Sequence, residues 1–240
     1  TDKDGAPDEC DQACINSGMS ADLDDDNDGT LDVDDGAPLD PTGTVDSDND
    51  GSSDASDIDN DNDGLIEINS LSDLDEIRNN LDGSSLYGNS EGCTEGGCNG
   101  FELTIDLDFD TDSDDDMDAD DAYWIAGEGW LPIGNIGNPF TATFEGNGHV
   151  INNLFINRPS TNEIGLFGGI SGESDEVRTR ISSLGLDGAL MSVTGQNDVG
   201  ALVGHADYST LSHIYNAGAV QGTLVVGGLI GRGEAYVTIN

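Results

Sequence analysis

The sequence predicts a mainly β protein in two parts: an irregular acidic arm, then a β-solenoid with one short capping helix. Three observations carry that prediction. Acids crowd residues 1–64 at fixed spacing. Short glycine-rich apolar phrases recur from about residue 140 onward. Between the two regimes, composition shifts near residue 65, and the Trp and Phe residues lie beyond that point. The expected boundaries are therefore 1–64 for the arm and 65–240 for the solenoid.

The arm comes first. The chain has 240 residues, with 50 acids against 6 bases, a formal net charge of −44. Phosphate polymers would be repelled, which excludes nucleic acid as a partner. Anionic membrane surfaces are excluded on the same ground. No apolar run is long enough to span a bilayer, so membrane insertion is not expected. The chain does not begin with methionine and shows no signal peptide, which fits a mature form or a piece of something longer.

Within the arm the acids repeat. Asp24, Asp26, Asp28, Asp32 and Asp35 fall at positions 1, 3, 5, 9 and 12 of one unit, with Gly29 at position 6. Asp46, Asp48, Asp50, Asp54 and Asp57 repeat the frame around Gly51. Asp59, Asp61, Asp63 and Glu67 form a third unit around Gly64 that lacks an acid at position 12. Asp2, Asp4, Asp8 and Asp11, with Gly5, are the latter part of another. Carboxylates about 5 Å apart repel by roughly 3 kcal/mol per pair at an effective dielectric near 20. A divalent ion reverses that sign. Calcium takes six to eight oxygens at about 2.3–2.6 Å, and glycine at position 6 permits the sharp turn. Several bound calcium ions are therefore expected to replace the hydrophobic core the arm lacks. EF-hand helices are not expected, because the flank "APLDPTGTV" (37–45) has two prolines and no helical period. These units resemble thrombospondin type 3 repeats over about residues 1–68. The resemblance implies a calcium-wrapped, elongated arm with little regular secondary structure.

Four cysteines form two close pairs, Cys10/Cys14 and Cys93/Cys98. Local pairing within each couple is expected, and disulfides would place the protein outside the cytoplasm, extracellular or on a cell surface. No histidine lies near either pair, which argues against zinc.

Beyond residue 65, "LSDLDEIRNNL" (71–81) places Leu71, Leu74, Ile77 and Leu81 at helical spacing, with Ser72 as the cap. "FELTIDLDF" (101–109) predicts one strand, with Phe101, Leu103, Ile105, Leu107 and Phe109 on a single face. Asp110, Asp112, Asp114, Asp118 and Asp121 repeat the calcium frame, although Asp115 stands where glycine is wanted. "IGLFG" (164–168), "VGALVG" (199–204) and "VGGLIG" (226–231) are variants of one phrase. The period is 27 from Val199 to Val226 and 35 from Ile164 to Val199, which predicts a loop insertion at 172–180. The phrases, with "PFTATFEGNGHVINNLFI" (139–156) before them, resemble the GLUG motif of bacterial extracellular proteins. That resemblance implies a parallel β-solenoid at a surface and no catalytic activity by itself.

Catalysis is not expected. The single lysine, Lys3, lies in the arm, and Arg158, Arg178, Arg180 and Arg232 are scattered. Trp124 and Trp130 are expected to close the core, and the histidines to sit at surfaces or edges. Both termini cut through repeats, which suggests either a segment of a long surface adhesin or copies joined end to end as a filament. The expected function is thus a calcium-stabilised extracellular structural protein, a filament subunit or an adhesin stalk. The alternative is a carbohydrate-binding or polysaccharide-processing module. Partners are then further copies of the chain, or surface and matrix glycans.

Overall fold

The computed structural model describes residues 10, 12–94 and 96–240. They form two compact units. One holds the residues up to Gly64 together with Asn89–Cys98. The other holds Leu65–Gly88 and Asn99–Asn240. The segment 89–98, expected in the solenoid, thus belongs to the acidic unit.

The second unit is a parallel β-solenoid. Strands Ile66–Ile68, Gly100–Leu103, Thr143–Glu145, Thr179–Ser182, Ser209–Ser212 and Thr238–Ile239 stack in one parallel column. Each of the four inner strands pairs with the coil before and the coil after. Register follows the apolar pattern. Ile66, Phe101, Phe144, Ile181, Leu211 and Ile239 form one continuous ladder down this column. Its first five members are buried. Other columns carry Leu107–Ile151–Leu186 and Ile156–Val193–Val220. A fourth row is Phe167–Val203–Ile230. A one-residue slip would turn every such side chain outward, so burial pins the register. In the last coil Leu224, Val226 and Ile239 are exposed.

The repeat phrases align in space. Ile164 bridges Val199, and Val199 pairs with Val226. The longer coil has two insertions rather than one. The offset between paired residues is 36 at Ser171–Asp207, 30 at Thr179–Ser209 and 27 at Ser192–Ala219. Six extra residues therefore lie between 171 and 179, and three more between 187 and 192. The final glycine of each phrase serves close approach. A Cβ on Gly204 would fall on the backbone of Glu163 and Ile164, and one on Gly231 on Asp198 and Val199. Neither glycine has a positive φ, so contact between coils, not turning, demands them.

Two local expectations are corrected. The segment 101–109 is not one strand but two, Gly100–Leu103 and Leu107–Asp108. A corner intervenes, where the Asp106 carboxylate accepts the Val150 N–H at 2.9 Å, and Ile105 is left exposed. The helix is Leu71–Glu76, continued by a 3₁₀ turn at Ile77–Asn79, and so ends before Leu81. Its cap is Ser70, not Ser72: the Ser70 hydroxyl accepts the Asp73 N–H at 3.1 Å. That hydroxyl in turn donates to Asp73 Oδ2 at 2.7 Å, a reciprocal arrangement. Leu74 and Ile77 are fully buried.

Trp130 is buried in an aromatic cluster with Phe109 and Tyr123, and its indole N–H donates to the Leu166 carbonyl at 3.1 Å. Trp124 stacks on Phe155 with ring centroids 5.1 Å apart. His205, expected at a surface, is buried. Its Nδ1 has no hydrogen-bond partner among the described residues, and the residue lines a cavity of about 90 Å³ together with Ser171 and Asp207.

The first unit has no strand among its described residues and one helix of five residues, Gln12–Asn16. Leu23, Leu31, Val33, Leu39 and Val45 are exposed, whereas Ala37, Ser53, Asp57 and Asp59 are buried. Its interior is polar and small. Both local disulfides, Cys10–Cys14 and Cys93–Cys98, are formed. The second ties down the segment that packs on Ser56–Asp59. There the Ile58 N–H donates to the Glu91 carbonyl at 3.2 Å and the Asn89 amide to the Ser56 carbonyl at 3.0 Å.

Candidate metal centres

Four acidic loops adopt nearly the same backbone path. In each, the N–H of position 6 donates to the position-1 carboxylate. The pairs are Gly29–Asp24 at 3.2 Å, Gly51–Asp46 at 3.0 Å, Gly64–Asp59 at 3.0 Å and Asp115–Asp110 at 3.3 Å. In the first three loops the position-5 N–H donates to the position-3 carboxylate: Asp28 to Asp26, Asp50 to Asp48 and Asp63 to Asp61. These bonds fold five residues around one point. Carboxylate oxygens of Asp24, Asp26 and Asp28 then lie within 4.8 Å of one another, as do those of Asp46, Asp48 and Asp50, and of Asp59, Asp61 and Asp63.

The path needs two left-handed residues. Gly29, Gly51 and Gly64 have φ of 102°, 98° and 89°, while Asn27, Asn49 and Asn62 at position 4 have 62°, 63° and 59°. Asparagine tolerates that region better than most residues. It is a signal that acid spacing alone leaves out.

The later acids do other work. Asp32 accepts the Asp25 N–H at 2.9 Å, and Asp54 accepts the Ser47 N–H and hydroxyl, both at 2.8 Å. They brace the loop behind position 1. Asp35 and Asp57 accept N–H groups two residues on, from Ala37 and Asp59. None of these four joins its loop's triad. Glu67, the third loop's ninth position, lies in the second unit on strand Ile66–Ile68, in register with Glu102. Asp2, Asp4, Asp8 and Asp11 lie outside the described residues.

The fourth loop departs from its expected ligand set. Asp110 and Asp112 converge with Asp121, within 4.8 Å, and not with Asp114 or Asp118. Asp121 Oδ1 accepts the Thr111 N–H at 2.7 Å, the brace that position 9 supplies elsewhere. The carboxylates of Asp114 and Asp118 instead accept the N–H groups of Asp116 and Asp120. Asp115 holds φ 68° where the other loops use glycine, which costs an L-residue on the order of 1 kcal/mol. We therefore expect Asp115→Gly to tighten calcium binding at this loop several-fold, read by calorimetric titration. Unchanged or weaker binding would show that the strain is not limiting.

Electrostatics oppose these clusters in the absence of a cation. Burial pushes the Asp59 carboxyl up to about 6, with Asp63 and Asp61 adding to the effect. Burial, then crowding by Asp28 and Asp26, raises Asp24. Burial, then Asp114 and Asp121, raises Asp112. Asp24 Oδ1, Asp26 Oδ2 and Asp48 Oδ2 are buried with no hydrogen-bond partner. Buried oxygens without donors are costly. All-oxygen clusters of this kind suit a hard cation such as calcium.

One carboxylate that spacing does not reveal behaves in the opposite way. Although burial opposes its charge, hydrogen bonds hold the Asp40 carboxyl well below the usual range. Its donors are the Ser56 hydroxyl at 2.5 Å, the Thr42 hydroxyl at 2.7 Å, and the N–H groups of Ser53 and Thr42. Asp40 thus ties the linker between the first two loops to the end of the second. A depressed carboxyl contributes stability that is full above its unfolded value, near 3.8, and is lost as pH falls below it. We expect Asp40→Ala to lower the stability of this unit by about 1 kcal/mol at pH 7. The difference from the parent should shrink as pH falls below 3.8. Denaturant titrations at pH 7 and pH 3 check this, and a pH-independent difference would refute it.

The fold and these clusters together define a parallel β-solenoid protein with loops of converging carboxylates. Two relatives share part of the sequence. The chain is 36% identical over 114 residues to Halomucin of Haloquadratum walsbyi, covering 47% of the chain and 1% of that protein. It is 42% identical over 89 residues to a Gly-rich membrane protein of Evansella cellulosilytica, covering 37% of the chain and 10% of that protein. The chain thus spans a small fraction of the length of both. No model of a known protein family matches it, and no solved structure does. Among the described residues, no helix is long and apolar enough to cross a membrane.

Proposed function

We propose that this chain is a calcium-stabilised structural segment of an extracellular or cell-surface protein, without catalytic activity. The observation that carries the reading is the threefold repetition of one acid triad, with oxygens within 4.8 Å in each, in a unit whose large apolar side chains are mostly exposed. Calcium would neutralise the triads and take the place of a core. The two local disulfides support an oxidising compartment. The relatives' names support a surface setting. In its finer form the segment is the stalk of an adhesin, its loops following the thrombospondin type 3 pattern and its coils the GLUG pattern.

Protease shaving of intact source cells tests the location, and calcium titration of the purified chain tests the ion. Release of peptides from 65–240, with at least three calcium ions bound per chain, is the expected result. No released peptide, or no bound calcium, would sink the corresponding half. Light scattering in calcium tests end-to-end copies: a monomer would leave the stalk and remove the filament.

A further inference from the structure

The second unit carries a groove that the structural role does not use. It is a cavity of about 350 Å³ between the helix end at 78–81, the loop at 131–138 and the turn at 158–164. A second cavity, also about 350 Å³, adjoins it and shares Arg78, Asn79, Leu81 and Asn138. Sites for small organic ligands run from about 300 to 1,000 Å³, so the pair accommodates more than one ring.

The chemistry of the walls selects the ligand. Leu81, Leu131 and Pro132 give an apolar floor, and Leu131 is about half exposed. Around it stand solvent-exposed polar groups, whose water a ligand could replace. The Asn138 amide and the Thr161 hydroxyl have no side-chain partner among the described residues. Asn162 uses its Oδ1, which accepts from Asn197 at 3.0 Å, and leaves its amide N–H groups open. Asn79 donates to Glu76 at 2.8 Å and leaves its Oδ1 open.

The two arginines of the lining, in contrast, are already paired. Arg78 pairs with Asp75, lies 4.5 Å over the Trp130 ring and donates to the Leu131 carbonyl at 2.7 Å. Arg158 pairs with Glu128 at 2.8 Å and donates to the Trp130 and Gly129 carbonyls, both at 3.1 Å. Glu163 accepts the Ile136 N–H at 2.8 Å. The two lining carboxylates carry no cation among the described residues, Glu163 accepting this one N–H and Asp82 accepting from Ser84. An anionic ligand would therefore find no unpaired cation here, and the chain's −44 repels polyanions.

We infer that this groove binds an uncharged saccharide of two or more rings. Apolar sugar faces would lie on Leu131 and Pro132, and hydroxyls would take up the open amides and the Thr161 hydroxyl. A structural segment would then also grip a neutral glycan.

The test is saturation-transfer NMR and calorimetry on the full chain in calcium. The probes are cello-, manno-, malto- and chitohexaose, with hexagalacturonate as the charged comparison. At least one neutral hexasaccharide should bind. The double variant Leu131→Ala/Asn162→Ala should weaken it tenfold or more without moving the thermal transition. Thr161→Trp, which fills the groove from an exposed position, should do the same if the double variant misfolds. Failure of every neutral probe, preference for hexagalacturonate, or binding that survives both variants would overturn the inference. Calcium binding by the acidic loops is measured separately, so either result leaves the structural reading where its own tests put it.

Discussion

Chelating calcium should unfold the acidic unit and leave the solenoid folded. Hydrogen exchange resolved by peptide is the measurement. In calcium, amides across 22–64 should be protected, because backbone N–H groups of the loops are engaged, as in Gly51 to Asp46 and Asp54 to the Val45 carbonyl. In chelator those peptides should exchange at close to the unfolded rate, while Thr143–Glu145 and Ser209–Ser212 stay protected. The magnitude follows from linkage. A site held at 1,000 times its dissociation constant contributes about 4 kcal/mol, and three such sites exceed what this unit's sparse apolar burial could replace. Mutual repulsion in each triad adds to the loss. Persistent protection of 22–64 in chelator would show that the disulfides and the Asp40 hydrogen bonds suffice, and the calcium reading would fall.

Phe144→Ala should be the most damaging single truncation in the solenoid, at about 3–5 kcal/mol. Phe144 is fully buried in the middle of the longest ladder, paired with Phe101 on one side and Ile181 on the other. Its ring meets Phe167 edge-on at 5.5 Å, and that ring in turn contacts Phe140 at 4.9 Å. The cavity would open between coils that cannot close on it, because their spacing is set by continuous backbone hydrogen bonds. Denaturant unfolding of the second unit measures the cost. A loss under 1 kcal/mol would mean that neighbouring rings refill the space. Ile239→Ala, on an exposed member of the same ladder, should cost far less and serves as the control.

Much of this architecture is written locally. The acid triads and their glycine turns need no more than six consecutive residues, because the N–H of position 6 reaches back to position 1 whatever the rest of the chain does. That is why the spacing at Asp24, Asp46 and Asp59 points directly to converging oxygens. The coil period is legible for a related reason. Each coil repeats the same inward positions, so Ile164, Val199 and Val226 announce the stack in one dimension.

What spacing does not determine is decided by closure over longer range. The fourth loop shares the frame, yet Asp121 rather than Asp114 completes its triad, because position 12 comes back against Thr111. The run 101–109 alternates like a single strand, yet a solenoid corner must fall within it, and Ile105 turns out to solvent. Asn89–Cys98 reads as part of the second unit until the Ile58 and Asn89 hydrogen bonds attach it to the first. The groove beside Arg78 and Arg158 has no sequence signal, since its walls come from three separate segments, 78–81, 131–138 and 158–164. Sequence alone therefore determined where cations could converge and how coils repeat. The tertiary structure decided which acids meet, where strands break and which polar groups face one another, because those outcomes depend on which distant segments share the same space.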